Sequence, residues 1–247
     1  MIKFFKYLLK DYNRKQILEQ ERYLIDNNNS YVLFSGTTLG EDGDLRHIND
    51  LYFIIFLLSF YKIPKENITL SIDLNILAEM ENTVLYKNIA MLIKQYVGKI
   101  IDVTNFEFEY IRNKNKDLVF IASGHGNING LHIGKNNKFI NSDYFENLST
   151  SKRSTLLIMS QCFAGAFHHL DTRKNICVLG ASEYQESLSI PINKLIDNPL
   201  IEPDLKNFIE NAIAFKPDIA INPFLFSLDN SLVKLKQCDD RDHYIFC

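Results

Sequence analysis

The chain has 247 residues, 46% of them hydrophobic and 23% charged, with a formal net charge of −3. That composition suits one large domain with a substantial core, and the charge balance gives no basic field that would favour nucleic acid. No stretch reaches the ~20 apolar residues of a membrane-spanning helix, and the N-terminal "MIKFFKYLLKDYNRKQ" lacks the apolar core and cleavage site of a secretory signal. The expectation is a cytoplasmic chain, unprocessed at its start, with neither membrane nor nucleic-acid partners.

In chain order, residues 1–29 place Phe4, Phe5, Leu8, Leu9, Tyr12, Ile17 and Leu18 at helical spacing, which predicts an N-terminal helix. "YVLFSG" (31–36) reads as a buried strand, and the loop "TTLGEDGD" leads into a helix from about Leu45 to Tyr61 that Pro64 stops. "NITLSID" (67–73) is a second strand and residues 84–97 look helical. "DVTNFEFEYIRN" (102–113) is expected to open a helix with Thr104 as its N-cap. "DLVFIAS" (117–123) is a third strand, "LHIG" the start of a small hairpin, and "SDYFENL" (142–148) a capped helix. "STLLIMS" (154–160) and "NICVLGAS" (175–182) are the fourth and fifth strands.

Strands that are apolar throughout, alternating with helices, predict an α/β fold: a mainly parallel central sheet with helices on both faces. Residues 30–199 are expected to form that domain. The segment 200–247, with its aromatics in "NPFLFSLDN" (222–230), is expected to pack back onto it.

In such sheets ligands bind beyond the carboxyl ends of the strands. The third strand runs into Gly124-His125-Gly126 and the fourth into Gln161-Cys162-Phe163-Ala164-Gly165, while the first empties toward Asp44, Arg46 and His47. If the third and fourth strands are parallel neighbours, His125 and Cys162 emerge side by side. A free thiol, with its ordinary pKa of about 8.5, needs help to become the reactive thiolate. A histidine within reach can take that proton and later deliver it to a leaving amine. The Gly126 and Cys162 N–H groups are candidate donors to a developing oxyanion.

The plainer readings stand beside these. A cysteine at the end of an apolar strand is commonly an inert buried thiol, and His125 could be a surface histidine in an ordinary turn. Arg46 could form an i,i+4 ion pair with Asp50 on its own helix. Cys162, Cys177, Cys238 and Cys247 contain no C-x-x-C pair, and His168-His169 has no further ligand at suitable spacing. No metal or cofactor is therefore expected. Phosphate-loop and dinucleotide-binding glycine patterns are missing from the sequence.

A strand followed by x-G-H-G, then a strand followed by x-x-C-x-x-G, resembles the caspase–haemoglobinase group of cysteine peptidases, most of all its legumain-type family. Further segments are similar in the same order. "LRHINDL" resembles a Tyr-Arg-His-x-x-Asp stretch, and "YKIPKENITL" resembles Gly-Ile-Pro-Asp-x-x-Ile-x-Leu. "DVTNFEFEYIRN" resembles Asp-Val-Thr-Pro-x-Asn-Phe, "LLIMSQCFAGAF" the strand and Glu-x-Cys-x-Ser-Gly, and "VLGASEYQES" a later Ala-Thr-x-Ala-x-x-x-Glu-Ser. The likeness spans residues 30 to 190.

The resemblance implies a caspase-like three-layer sandwich and a cysteine endopeptidase acting on a peptide or protein substrate. It assigns Cys162 as nucleophile, His125 as general acid/base, and Gly126 with Cys162 as oxyanion donors. It places Arg46 in the pocket for the P1 residue, the one before the scissile bond. Ser160 falls where the family has an acid two before the cysteine, and Ser187 near the pocket wall. Asp44 stands where the family has an asparagine that supports the histidine. With Ser160 in place of an acid and Arg46 kept, the pocket turns more positive unless Glu183 restores the balance. An acidic or amide P1 residue is then expected. Restraint in the cytosol would come from a regulatory protein partner or the N-terminal helix. The same dyad would also serve a transamidase or peptide ligase, and a non-catalytic regulatory module is the third possibility.

Overall fold

Alternation within the apolar runs decides the architecture. The computed structural model describes residues 26–38, 46–82, 86–106, 116–134, 138–146, 154–172, 176–180, 190–191, 220–221 and 244–246. The expected N-terminal helix therefore lies outside the described residues. Strands β1 (Ser30–Phe34), β2 (Ile68–Ile72), β3 (Lys99–Asp102), β4 (Leu118–Ala122), β8 (Thr155–Met159) and β9 (Ile176–Gly180) join β12 (Tyr244–Phe246) in one sheet, in the order β12-β9-β8-β4-β1-β2-β3. All pairs are parallel except β12 with β9.

Successive side chains of a strand point to opposite faces, and here both faces are covered. Tyr31 and Leu33, Val119 and Ile121, and Leu156 and Ile158 bury on one side. They meet helices α1 (Arg46–Phe60), α2 (Leu74–Asn82) and α3 (Lys87–Tyr96). On the other side Val32, Phe34, Phe120, Leu157 and Met159 meet a second layer. That layer holds a three-stranded sheet of β5 (Gly126–Asn127), β6 (Gly130–Ile133) and β7 (Lys138–Ile140). It also holds the short helix α4 (Asp143–Glu146) and a 3₁₀ helix, Ala164–Thr172. Double coverage explains why these strands read as unbroken apolar runs rather than alternating ones. Helix α1 is buried from His47 to Leu58, being apolar nearly all round. It lies against the sheet, α3 and the short strand β11 (Ala220–Ile221), which pairs with β10 (Ile190–Pro191).

The structure corrects several expectations. Strand β3 and helix α2 have no counterpart in the predicted elements. Lys99–Asp102 is too short and too mixed in polarity to show a period. The helix expected at 102–113 begins instead as a 3₁₀ turn, Val103–Asn105, capped by Asp102 rather than Thr104. The Asp102 carboxylate accepts from the Thr104 N–H at 2.8 Å and from the Thr104 hydroxyl. An ionised carboxylate is the stronger acceptor, so the Asp takes the cap and the Thr becomes a donor. Residues 107–115 lie outside the described residues. Among the described residues, no helix is long and apolar enough to cross a membrane.

The topology also contains a strand-order reversal. The chain leaves β1 for β2 and β3 on one side, then crosses back to β4 on the other, so the strand order reverses between β1 and β4. Open α/β sheets bind ligands beyond the carboxyl ends at such a reversal.

Two predictions test this packing. Phe120 is fully buried between Phe34 (ring centroids 5.9 Å apart) and Phe145 (5.0 Å). Phe120→Ala should cost about 3–5 kcal/mol in urea unfolding; a loss under about 1 kcal/mol would contradict the packing. Burial alone would raise the Asp102 carboxyl, but the Thr104 and Leu74 hydrogen bonds outweigh it and hold it below its ordinary value. A lowered folded-state pKa means stability that is present at neutral pH and fades as pH falls through the carboxylate range. Asp102→Asn should therefore narrow its stability deficit in acid, as thermal melts across that range would show.

Candidate active site

Each register pair of β4 with β8 differs by 37 positions, from Leu118↔Thr155 to Ala122↔Met159. The same spacing separates His125 from Cys162, so the two residues occupy corresponding places three beyond the ends of neighbouring parallel strands. The pairing continues past the strands, since the Ser160 N–H donates to the Ala122 carbonyl at 3.0 Å.

Beyond Ser123 the chain turns into β5, and the contact with Cys162 is tight. A Cβ placed on Gly126 would lie 2.4 Å from the Cys162 carbonyl oxygen and 2.5 Å from Gln161 Cγ. Only glycine permits that approach. Gly124 differs: its nearest neighbour would be the Gly36 nitrogen at 3.5 Å, ordinary contact. Neither residue has a positive φ. The G-H-G pattern thus serves a close approach at its second glycine rather than a strained turn at its first.

The β5–β6 register frees one backbone donor. Gly126 faces Leu131, and the flanking bond runs from the His132 N–H to the His125 carbonyl at 2.9 Å. In an antiparallel ladder this makes Gly126↔Leu131 a non-hydrogen-bonded pair, so the Gly126 N–H stays outside the β5–β6 ladder. The small sheet is in turn seated on the end of β1. Gly36 lies so close beneath the His132 carbonyl that a Cβ would collide with it, and the Gly134 N–H donates to the Gly36 carbonyl at 2.9 Å.

Cys162 is half-buried and is followed by Phe163 at φ 56°, a left-handed conformation unusual for a bulky residue. Holding it costs on the order of 1–3 kcal/mol, and such strain concentrates at functional sites. The Ala166 N–H closes this turn onto the Phe163 carbonyl at 3.0 Å, and the 3₁₀ helix follows.

Behind His125 lies a buried polar cluster that reasoning from sequence missed. The His47 and His125 rings meet nearly perpendicular, 78° apart, with centroids 4.9 Å apart. His47 Nδ1 is 3.1 Å from Ser123 Oγ, and Ser123 donates to Asp50 Oδ2 at 2.5 Å. His47 and Asp50 are three apart at the head of α1, hence on one face. The available signal was polar residues at one face of an otherwise apolar helix, which burial permits only when they are partnered.

The remaining expected residues divide. Arg46 is exposed at the first position of α1, beside this cluster. Ser160 is buried, its hydroxyl donating to the Ala122 carbonyl at 2.7 Å, so that proton ties β8 to β4. Asp44, Glu183 and Ser187 lie outside the described residues. Among the described residues, no group of three or more His, Cys, Asp or Glu side chains is arranged to hold a metal ion. No protein-family model matches the chain, and no curated protein matches it either.

The two glycines give a paired prediction. Gly124→Ala should leave the reactivity of Cys162 toward iodoacetamide within about two-fold of wild type, whereas Gly126→Ala should shift it by at least about ten-fold through displacement of His125. Equal effects from both would contradict the assigned contact.

Proposed function

We propose that the chain is a cysteine endopeptidase of caspase-like, legumain-type build, with Cys162 as nucleophile and His125 as general acid/base. The observation that carries this reading is the shared spacing of 37, which gives a histidine and a thiol corresponding places beyond the carboxyl ends of β4 and β8, with β4 flanking the strand-order reversal. The left-handed Phe163 and the Gly126 N–H outside the ladder support it.

The chemistry follows from that placement. The His125 imidazole accepts the Cys162 thiol proton, and the thiolate attacks the scissile carbonyl carbon. The carbonyl π electrons move to oxygen, and the oxyanion accepts hydrogen bonds from the Gly126 and Cys162 N–H groups. The imidazolium then protonates the leaving amine as the C–N bond breaks, which leaves a thioester on Cys162. His125 next takes a proton from water, which hydrolyses the thioester and restores the thiol. No cofactor enters any step.

Arg46, exposed at the head of α1, is the cation of the proposed P1 pocket, and Ser160 leaves no acid at its position. Cleavage after Asp or Asn follows as the proposed preference.

An electrophilic peptide probe tests the dyad. Labelling is expected on Cys162 of the wild type, to be abolished in Cys162→Ala and to fall at least about a hundred-fold in rate in His125→Ala. Labelling that persists in Cys162→Ala would overturn the assignment. Cleavage profiles from a P1-varied peptide library should favour Asp or Asn over Lys or Arg; the reverse order would refute the pocket.

A further inference from the structure

We infer that Asp50, Ser123 and His47 form a positioning chain that fixes the plane of the His125 imidazole. The inference rests on the reading of His125 as the acid/base and adds three residues to its machinery. It follows from a count of protons. A serine hydroxyl has one hydrogen and two lone pairs. Ser123 lies 2.5 Å from Asp50 Oδ2, the range of a hydroxyl donating to a carboxylate, so its hydrogen goes there. Toward His47 Nδ1, at 3.1 Å, Ser123 then offers a lone pair, and the hydrogen in that bond belongs to His47. The chain Asp50 ← Ser123 ← His47 thereby sets the tautomer and rotamer of His47.

The His47 ring in turn stands edge-on to His125 at 4.9 Å. The backbone anchors His125 through its carbonyl, held by the His132 N–H, and through Gly126 against Cys162. These fix where Cβ sits and leave both side-chain torsions open. A general acid/base must present one nitrogen to the thiol and then to the leaving amine, so its ring plane has to be held by neighbours. His47 is such a neighbour. Asp50 and Ser123 are each 1% exposed, so removal of either leaves the other buried with an unmet bond. None of the three is proposed to touch substrate, so they are positioning residues.

The test follows alkylation of Cys162 by iodoacetamide, read by mass spectrometry over about pH 5 to 9, in folded full-length protein. Ser123→Ala is expected to slow alkylation at about pH 6 by about ten-fold and to move the pH profile toward that of His125→Ala. In the His125→Ala background it should add less than about two-fold, because its effect runs through His125. A Ser123→Ala profile matching wild type would overturn the inference. So would a ten-fold loss that persists without His125. A His125→Ala profile identical to wild type is a different pattern; it would overturn the dyad and the chain together. If Ser123→Ala does not fold, the ¹⁵N spectrum of the His47 ring in the wild type decides. A proton on Nδ1 supports the chain, and a bare Nδ1 overturns it.

Discussion

The pairing of β4 with β8 is the constraint on which the candidate site depends. Its offset of 37 positions sets the core contacts and also gives His125 and Cys162 corresponding places three residues beyond the paired strands. Strands buried on both faces are not pinned by an inside-outside pattern, since a slip would expose neither face. Here polar ties hold the register at both ends instead. At the start, the Leu118 N–H donates to the Ser154 carbonyl, and the Ser154 N–H to the Asp117 carboxylate at 2.8 Å. At the finish, both the N–H and the hydroxyl of Ser160 donate to the Ala122 carbonyl. Ser160 thus does for alignment what an apolar residue at that position could not.

Around this alignment, different kinds of interaction carry different duties. Apolar packing on both faces keeps the sheet rigid. Close backbone approach, enforced by Gly126 on Cys162 and Gly36 under His132, docks the small sheet against the ends of the main strands. Buried hydrogen bonds link Asp50, Ser123 and His47, and the His47 ring meets that of His125 edge to face. Buried polar groups of this kind are costly unless satisfied, which explains their position in the first turns of a helix otherwise built of apolar side chains.

Much of this was legible in the sequence because it rests on local pattern. The strand runs at β1, β4, β8 and β9 announced themselves by continuous apolar character and β2 by the alternation of Ile68, Leu70 and Ile72 with Thr69 and Ser71, while the loops after β4 and β8 were marked by G-H-G and C-x-x-G. What escaped has physical reasons. Strand β3 is short and mixed, and only pairing with β2 makes it a strand. The cap of the 3₁₀ turn is decided by competition between Asp102 and Thr104, two residues apart, which spacing does not rank. Sequence reasoning singled out Gly126 for its N–H, but the steric need for glycine at 126 and not at 124 shows only when Cys162 is placed beside it. The link from His47 to Ser123 spans 76 positions, and only the crossing from β3 back to β4 brings the two together.

On the proposed mechanism Cys162, served by His125, is the nucleophile that becomes acylated. Rapid mixing with a peptide ester bearing Asn or Asp at the carbonyl to be attacked, followed by acid quench and intact-mass analysis, addresses it most directly. The expected result is a single acyl adduct on Cys162 that forms and decays in the wild type and does not accumulate in His125→Ala. Cleavage of the ester with no adduct, or an adduct on any other residue, would contradict the account.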